Sequence, residues 1–298
     1  MQKTSAERPA LGIGLRILSG ALFATMAIFV KALSGHVPVG QIVFFRSAFA
    51  LIPLVIFLGL RAEFPRGLAT KRPLGHMLRS AFGAAAMFAS FASIARLPLA
   101  EATLIGYLSP VFTAIAGVAI LSERIAVWRI GGVLLGLGGV LALVWPEFGQ
   151  SDTDLSRLIG YGLGLLMGLL TAFALIMVRS LSRTESPGAI AFYFVLASMA
   201  GGLFSLPFGW VTTSEKELLF LVLSGIFGGF AHIAMTLAFR YAEASRLAPF
   251  EYLAIVWPVL ADLLLFRQPL ASAFLLALPL VLAGAGMAAM EGRRGKAR

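Results

Sequence analysis

Apolar residues run through this chain in blocks of about 20, the length a helix needs to cross the hydrocarbon core of a bilayer. Ten such blocks can be placed, at roughly 11–33, 39–60, 75–95, 101–121, 126–145, 158–180, 187–209, 217–239, 247–266 and 271–290. One connection between them is long and polar, PEFGQSDTDLSR from Pro146 to Arg157. The others are tight turns, so no soluble domain is expected to carry a separate activity. The first block is too long for the apolar region of a signal peptide and holds Lys31 near its end, so it reads as a true span. The pattern predicts an all-α polytopic membrane protein.

The blocks repeat. GIGLRILSGALFATMAIFVKALS, from Gly12 to Ser34, lies without a gap over GYGLGLLMGLLTAFALIMVRSLS, from Gly160 to Ser182, with 11 of 23 positions identical at an offset of 148. Gly40, Ile42 and Phe44 continue this register onto Gly188, Ile190 and Phe192. Beyond a loop that is three residues shorter in the second copy the offset is 145, which places Phe82-Gly83 on Phe227-Gly228 and Tyr107-Leu108 on Tyr252-Leu253. Self-similarity at a fixed period marks an internal duplication. Each copy holds five spans, residues 11–145 and 158–290, with 146–157 as an extracytoplasmic linker. An odd number of spans turns the second copy over in the bilayer, and inverted repeats of this kind build many secondary transporters.

Composition narrows the class. The chain is 59% hydrophobic and 13% charged, against about 25% charged residues in soluble domains. There is no cysteine, hence no disulfide framework and no thiolate metal site. Counted by side, 18 of the 24 Lys and Arg fall on the side of the N-terminus and five opposite (Lys31, Arg96, Arg157, Lys216 and Arg267), with Arg46 inside a span. The positive-inside rule then puts both termini in the cytoplasm. The net charge of +10 is accounted for by topology and anionic lipid headgroups, with no nucleic-acid partner needed.

Polar groups at membrane depth are expensive and therefore carry the candidate chemistry. Arg46 faces Phe194 in the other copy, His232 faces Met87, Glu251 faces Gly106 and Asp262 faces Gly117. A pseudo-symmetric frame around an asymmetric solute is expected to show its contacts as such breaks in the repeat. Glu251, Ile255, Pro258 and Asp262 share one helix face, and Ser224, Gly228, His232 and Thr236 form a small and polar stripe. The same stripe, and the Gly132 to Gly136 spacing, also serve close helix packing. Expected solute contacts are Arg46, Phe88, Phe91, Tyr107, His232, Glu251, Tyr252 and Trp257. Glu251, His232 and Asp262 are the candidates for proton coupling. Each has a structural alternative: Arg46 as a bolt, His232 as a packing residue, the aromatics as ordinary core. Three histidines on separate segments supply no metal cluster, and GGVLLGLGG (Gly131 to Gly139) lies inside an apolar span rather than after a strand. Neither a cofactor nor an enzymatic activity is expected, and a channel would not require asymmetry between the copies.

With SPVFTAIAGVAILSERI (Ser109 to Ile125) closing the fourth span and APFEYLAIVWPVLADLLLF (Ala248 to Phe266) forming the ninth, the chain resembles the EamA-type drug/metabolite transporter superfamily. The resemblance implies ten helices in two inverted five-helix repeats, a central cavity, and transport of a small organic solute across a bacterial inner membrane by alternating access. Glu123 matches the acidic residue that follows the fourth span in that family, whereas Arg267-Gln268 stands where Gly-Glu is usual, so no role passes to Gln268. GQIVFFRSAFALIPL (Gly40 to Leu54) and APFEY are similar to the riboflavin importers of the group. Amino-acid exporters and S-adenosylmethionine transporters are the alternatives.

Overall fold

The computed structural model describes residues 8–121, 127–149, 154–182, 184–242 and 244–290; Glu123 lies outside them. Among these residues there is no strand, only helices. They are α1 (Pro9–Leu33), α2 (Val39–Leu60), α3 (Pro73–Ile94), α4 (Leu99–Gly106), α5 (Ser109–Leu121), α6 (Val127–Val144), α7 (Leu155–Leu181), α8 (Pro187–Phe204), α9 (Glu215–Tyr241), α10 (Ala244–Leu253), α11 (Val256–Leu264) and α12 (Ser272–Met290).

Local chemistry starts these helices where the polar breaks lie. Proline opens α1, α3 and α8, where its missing N–H costs nothing. The Asp154 carboxylate accepts from the N–H groups of Ser156 and Arg157 to begin α7, and Ser214 with Glu217 forms a reciprocal capping box on α9.

Among the described residues, eight helical segments are long and apolar enough to span a bilayer, and Ser272–Ala288 is a shorter apolar helix. The expected count of ten is therefore not met by length alone. The ninth block is split into α10 and α11, and the fourth, which still counts as one span over Leu99–Ala116, is broken between α4 and α5. Proline explains both breaks. Pro110 and Pro258 lack the N–H that would bond to the carbonyls of Gly106 and Ala254. The chain tightens there into i to i+3 bonds, Leu108 N–H to Ile105 O (3.0 Å) in one copy and Trp257 N–H to Ala254 O (3.2 Å) in the other. The Ser109 hydroxyl takes up the free Gly106 carbonyl.

Packing pairs the helices reciprocally. Helix α1 lies on α9 as α7 lies on α3, and α2 lies on α9 as α8 lies on α3, while α2 meets α8 and α6 meets α12. Glycine sets the last contact: a Cβ on Gly132 would stand 2.8 Å from the Gly284 carbonyl, so only bare backbone permits this approach. The buried core runs from Met26 and Val30 through Phe91, Leu104 and Leu108 to Phe274 and Val281.

Candidate functional site

The two helix breaks face each other. The Tyr107 hydroxyl donates to the backbone carbonyl of Glu251 (3.2 Å), and the Tyr107 and Tyr252 rings meet edge to face with centroids 5.6 Å apart. Beside them opens a cavity of about 340 Å³, walled by Arg16, Gly20, Phe23 and Met26 of α1, Ser90 and Phe91 of α3, Thr103 and Gly106 of α4, Tyr107, Ser109, Met167 of α7, Met235 of α9, and Glu251, Tyr252 and Pro258. The size is at the lower end of the range for small-molecule sites, and the lining, apolar with a few placed polar groups, is characteristic of them.

One ion pair spans the cavity wall. Arg16 Nη2 lies 3.0 Å from Glu251 Oε1, with the arginine side chain 8% exposed and the carboxylate 48%. Glu251 was reachable as a break in the repeat; Arg16 was not singled out, because a charge near the N-terminus counts toward topology. The same register nevertheless sets Arg16 against Gly164, a signal as clear as the other four.

The Arg16 and Glu251 side of the cavity carries a half-exposed carboxylate, and beyond the other side the helices are tied together. There Lys31 Nζ donates to the carbonyls of Ile94 (2.9 Å) and Leu97 (2.6 Å). The Asp262 carboxylate accepts from the N–H groups of Leu99 (3.0 Å) and Ala100 (2.7 Å), capping the start of α4. Next to this cap, Arg157 bonds to Glu147 (2.7 Å) and Glu101 (3.1 Å), and the Tyr161 hydroxyl donates to Glu101 (2.7 Å). Asp262 thus sits 1% exposed in a structural cap, away from the cavity.

Arg46 and His232 form a second cluster just behind the cavity wall. Arg46 Nη2 donates to His232 Nε2 (3.3 Å). A guanidinium offers no acceptor, so that nitrogen carries a lone pair and the imidazole is neutral with its proton on Nδ1. The Phe23 ring stands perpendicular to the imidazole, with centroids 4.9 Å apart.

Of the eight expected solute contacts, Phe91, Tyr107, Glu251 and Tyr252 line the cavity, and Arg46 and His232 stand one side chain behind it. Phe88 instead fills the space beside Gly40 and Gly201 between α2 and α8. Trp257 lies with Ile17, Phe250 and Leu253 on a separate outer recess. Gln268 is held in the turn after α11, its N–H on the Asp262 carbonyl (2.8 Å). Among the described residues no group of His, Asp or Glu is arranged to hold a metal ion.

Residues 10–145 and, separately, 158–290 match the EamA-like transporter family. The chain belongs to that family. It is 31% identical to the pseudopaline exporter CntI of Pseudomonas aeruginosa, over 83% of this chain and 84% of the exporter. It is 28% identical to the S-adenosylmethionine uptake transporter of Rickettsia prowazekii, over 76% of this chain and 73% of that one. A crystal structure of a protein only 20% identical superposes with a TM-score of 0.66, covering 96% of this chain and all of the other, which speaks for a shared fold. This EamA-like chain is accordingly a multi-pass membrane transporter of a small molecule.

Proposed function

We propose that the chain is a secondary transporter that carries a small organic metabolite through the cavity between α1, α4 and α10 by alternating access. The observation that carries this reading is the meeting of two proline-broken helices at one cavity, open at the Arg16 and Glu251 side and tied shut at the Lys31 and Asp262 side. Discontinuous helices that place their ends at mid-depth are a common way to build such a site. On this reading the chain has ten spans in two inverted repeats, residues 11–145 and 158–290, joined by 146–157. Both termini face the cytoplasm of a bacterial cell, and the open side is cytoplasmic. Glu251 is the acidic group on the cavity wall, so coupling to protons runs through it rather than through Asp262, which is consumed in a helix cap, or His232, whose Nε2 is held by Arg46.

Riboflavin is the first solute to test, on the strength of Gly40 to Leu54 and the APFEY segment, with Phe91, Tyr107 and Tyr252 as walls for a planar ring. The relatives described above carry other solutes, one outward and one inward, so direction is part of the test. Purified protein in liposomes preloaded with riboflavin, S-adenosylmethionine or an amino acid is assayed for counterflow of the same labelled compound. Saturable, trans-stimulated exchange lost in Glu251→Ala is the expected result. Flux that neither saturates nor responds to solute on the far side would make the chain a channel and end the proposal.

A further inference from the structure

Two arginines stand at membrane depth with nothing acidic beside them. Arg46 on α2 is 2% exposed, and apart from its bond to His232 its Nε and Nη1 are buried without a partner. Arg79 on α3 lies with Cζ 4.1 Å over the Phe194 ring of α8, its Nε and Nη1 likewise buried and unpartnered. The Phe194 and His232 rings are 6.3 Å apart, which joins the two guanidiniums into one cluster, Arg46, His232, Phe194, Arg79. Among the described residues no ion pair engages either arginine. Arg16, by contrast, has Glu251.

Burying an uncompensated charge is among the largest penalties a fold can carry, and such charges are normally paired. A π-face and a neutral imidazole solvate a cation only partly. Four orphaned nitrogens on two guanidiniums, Nε and Nη1 of each, leave charged N–H donors of the kind that carboxylates accept from. The cluster also lies across the repeat. Phe194 occupies the position that corresponds to Arg46, so one copy supplies a guanidinium where the other supplies a ring to seat the second guanidinium. Two side chains separate it from the cavity: Phe23, whose ring packs perpendicular to that of His232, and Met26, whose sulfur approaches Gly228 alongside the Arg46 guanidinium. Gly228, lacking a side chain, leaves room there; a Cβ would come within 3.1 Å of Arg46 Nη2. Met26 is unbranched and readily moved.

We propose that Arg46 and Arg79 form the anion-binding half of the solute site, taking one or more carboxylates of the transported metabolite once Phe23 and Met26 swing aside. The inference rests on the transporter reading for the word solute, not for the site itself. The solute is then an organic anion or a zwitterion, which excludes riboflavin with its lack of a carboxylate; the carboxylate goes to the arginines and the cationic part, where there is one, to Glu251 and the tyrosine pair.

The test uses the full chain purified in detergent. Its melting temperature is read in acetate, succinate, glutamate, citrate, chloride and phosphate at matched ionic strength, and with uncharged succinamide. A rise of a few degrees with at least one carboxylate, not with succinamide or chloride, and lost in both R46M and R79M, is the expected result. Without ligand, R46M should melt at or above the wild-type temperature, because it removes an unpaired buried charge. A structural bolt would give a clear fall and overturns the proposal, as does the absence of a shift with every carboxylate or a shift retained in both variants. An equal response to chloride or phosphate assigns the cluster to an inorganic anion and overturns the assignment to solute. Because no flux is read, the two readings separate. Carboxylate binding through the arginines with flux that neither saturates nor responds to solute on the far side keeps the site and ends the transporter, and wild-type counterflow in both variants does the reverse.

Discussion

Arg16 and Glu251 form an unequal pair: the guanidinium is buried in α1 and the carboxylate that faces it at the cavity wall is half exposed. The inequality decides what each mutation costs. Glu251→Ala strands a buried cation, for which about 1–2 kcal/mol is expected, reduced from the larger penalty of a fully buried pair because water reaches this one. Arg16→Met leaves a carboxylate that water solvates and stays within about 1 kcal/mol of wild type. The double variant should return to the level of Arg16→Met. Thermal unfolding of the four proteins checks this; equal losses from the two single variants would contradict it.

The Tyr107 hydroxyl is the direct tie between the two helix breaks. Tyr107→Phe keeps the ring contact and removes the bond, at an expected cost of about 0.5–1.5 kcal/mol. The Tyr252 hydroxyl has no hydrogen-bond partner among the described residues, so Tyr252→Phe is the matched control and should be neutral. Comparison of the two melting temperatures tests the assignment.

Asp262 caps α4 at the sealed end. Asp262→Ala should cost about 1–2 kcal/mol as a lost cap and loosen that end of the cavity. The chain has no cysteine of its own, so Thr103→Cys gives a single reporter on the cavity wall. A membrane-impermeant maleimide applied from the sealed side should label it in the Asp262→Ala background and not in the otherwise native one. Equal labelling in both backgrounds would show that Asp262 does not help to close this end.

Outside the spans, Glu185 sits between α7 and α8 with Oε2 3.3 Å from His76 Nε2 and Oε1 accepting from Lys71 N–H at 3.3 Å. Burial pushes its carboxyl up, but hydrogen bonds from His76, Thr70 and Lys71 outweigh this and hold it below the ordinary value of 4.5. A carboxyl held down in the fold contributes stability that is complete above its unfolded value and is lost as the pH falls through its folded one. The difference in melting temperature between wild type and Glu185→Gln should therefore shrink as the pH falls below about 5. A difference that stays constant down to about pH 3 would refute the assignment.

The class of molecule was legible from block length alone, since no other signal is as direct as runs of apolar residues long enough to cross a bilayer. The register between the copies also made Arg46, His232 and Glu251 visible, because a polar group facing Phe, Met or Gly in a duplicated frame has no scaffold to explain it. Three things were not legible. Whether Asp262 faced the cavity or a neighbouring helix start depended on how α11 sits against α4, which periodicity within one helix does not encode. Phe88 and Trp257 are apolar on every side of the question, so composition could not say which packed and which lined a site. Arg79 lay near the inner end of its span, where an arginine serves orientation by default. Its burial follows from Gly83 one turn further on, which leaves the space its guanidinium occupies, and from the Phe194 ring on another helix.

Pro110 and Pro258 make each fourth helix two rods joined by a tight turn. On the inverted-repeat reading proposed above, these two breaks are a pair of matched hinges about which the molecule would pass between two resting shapes. Stiffening one hinge, by returning Pro110 or Pro258 to a residue with an N–H, would then unbalance a see-saw. The cargo would still be recognised, but the protein would wait on one bank.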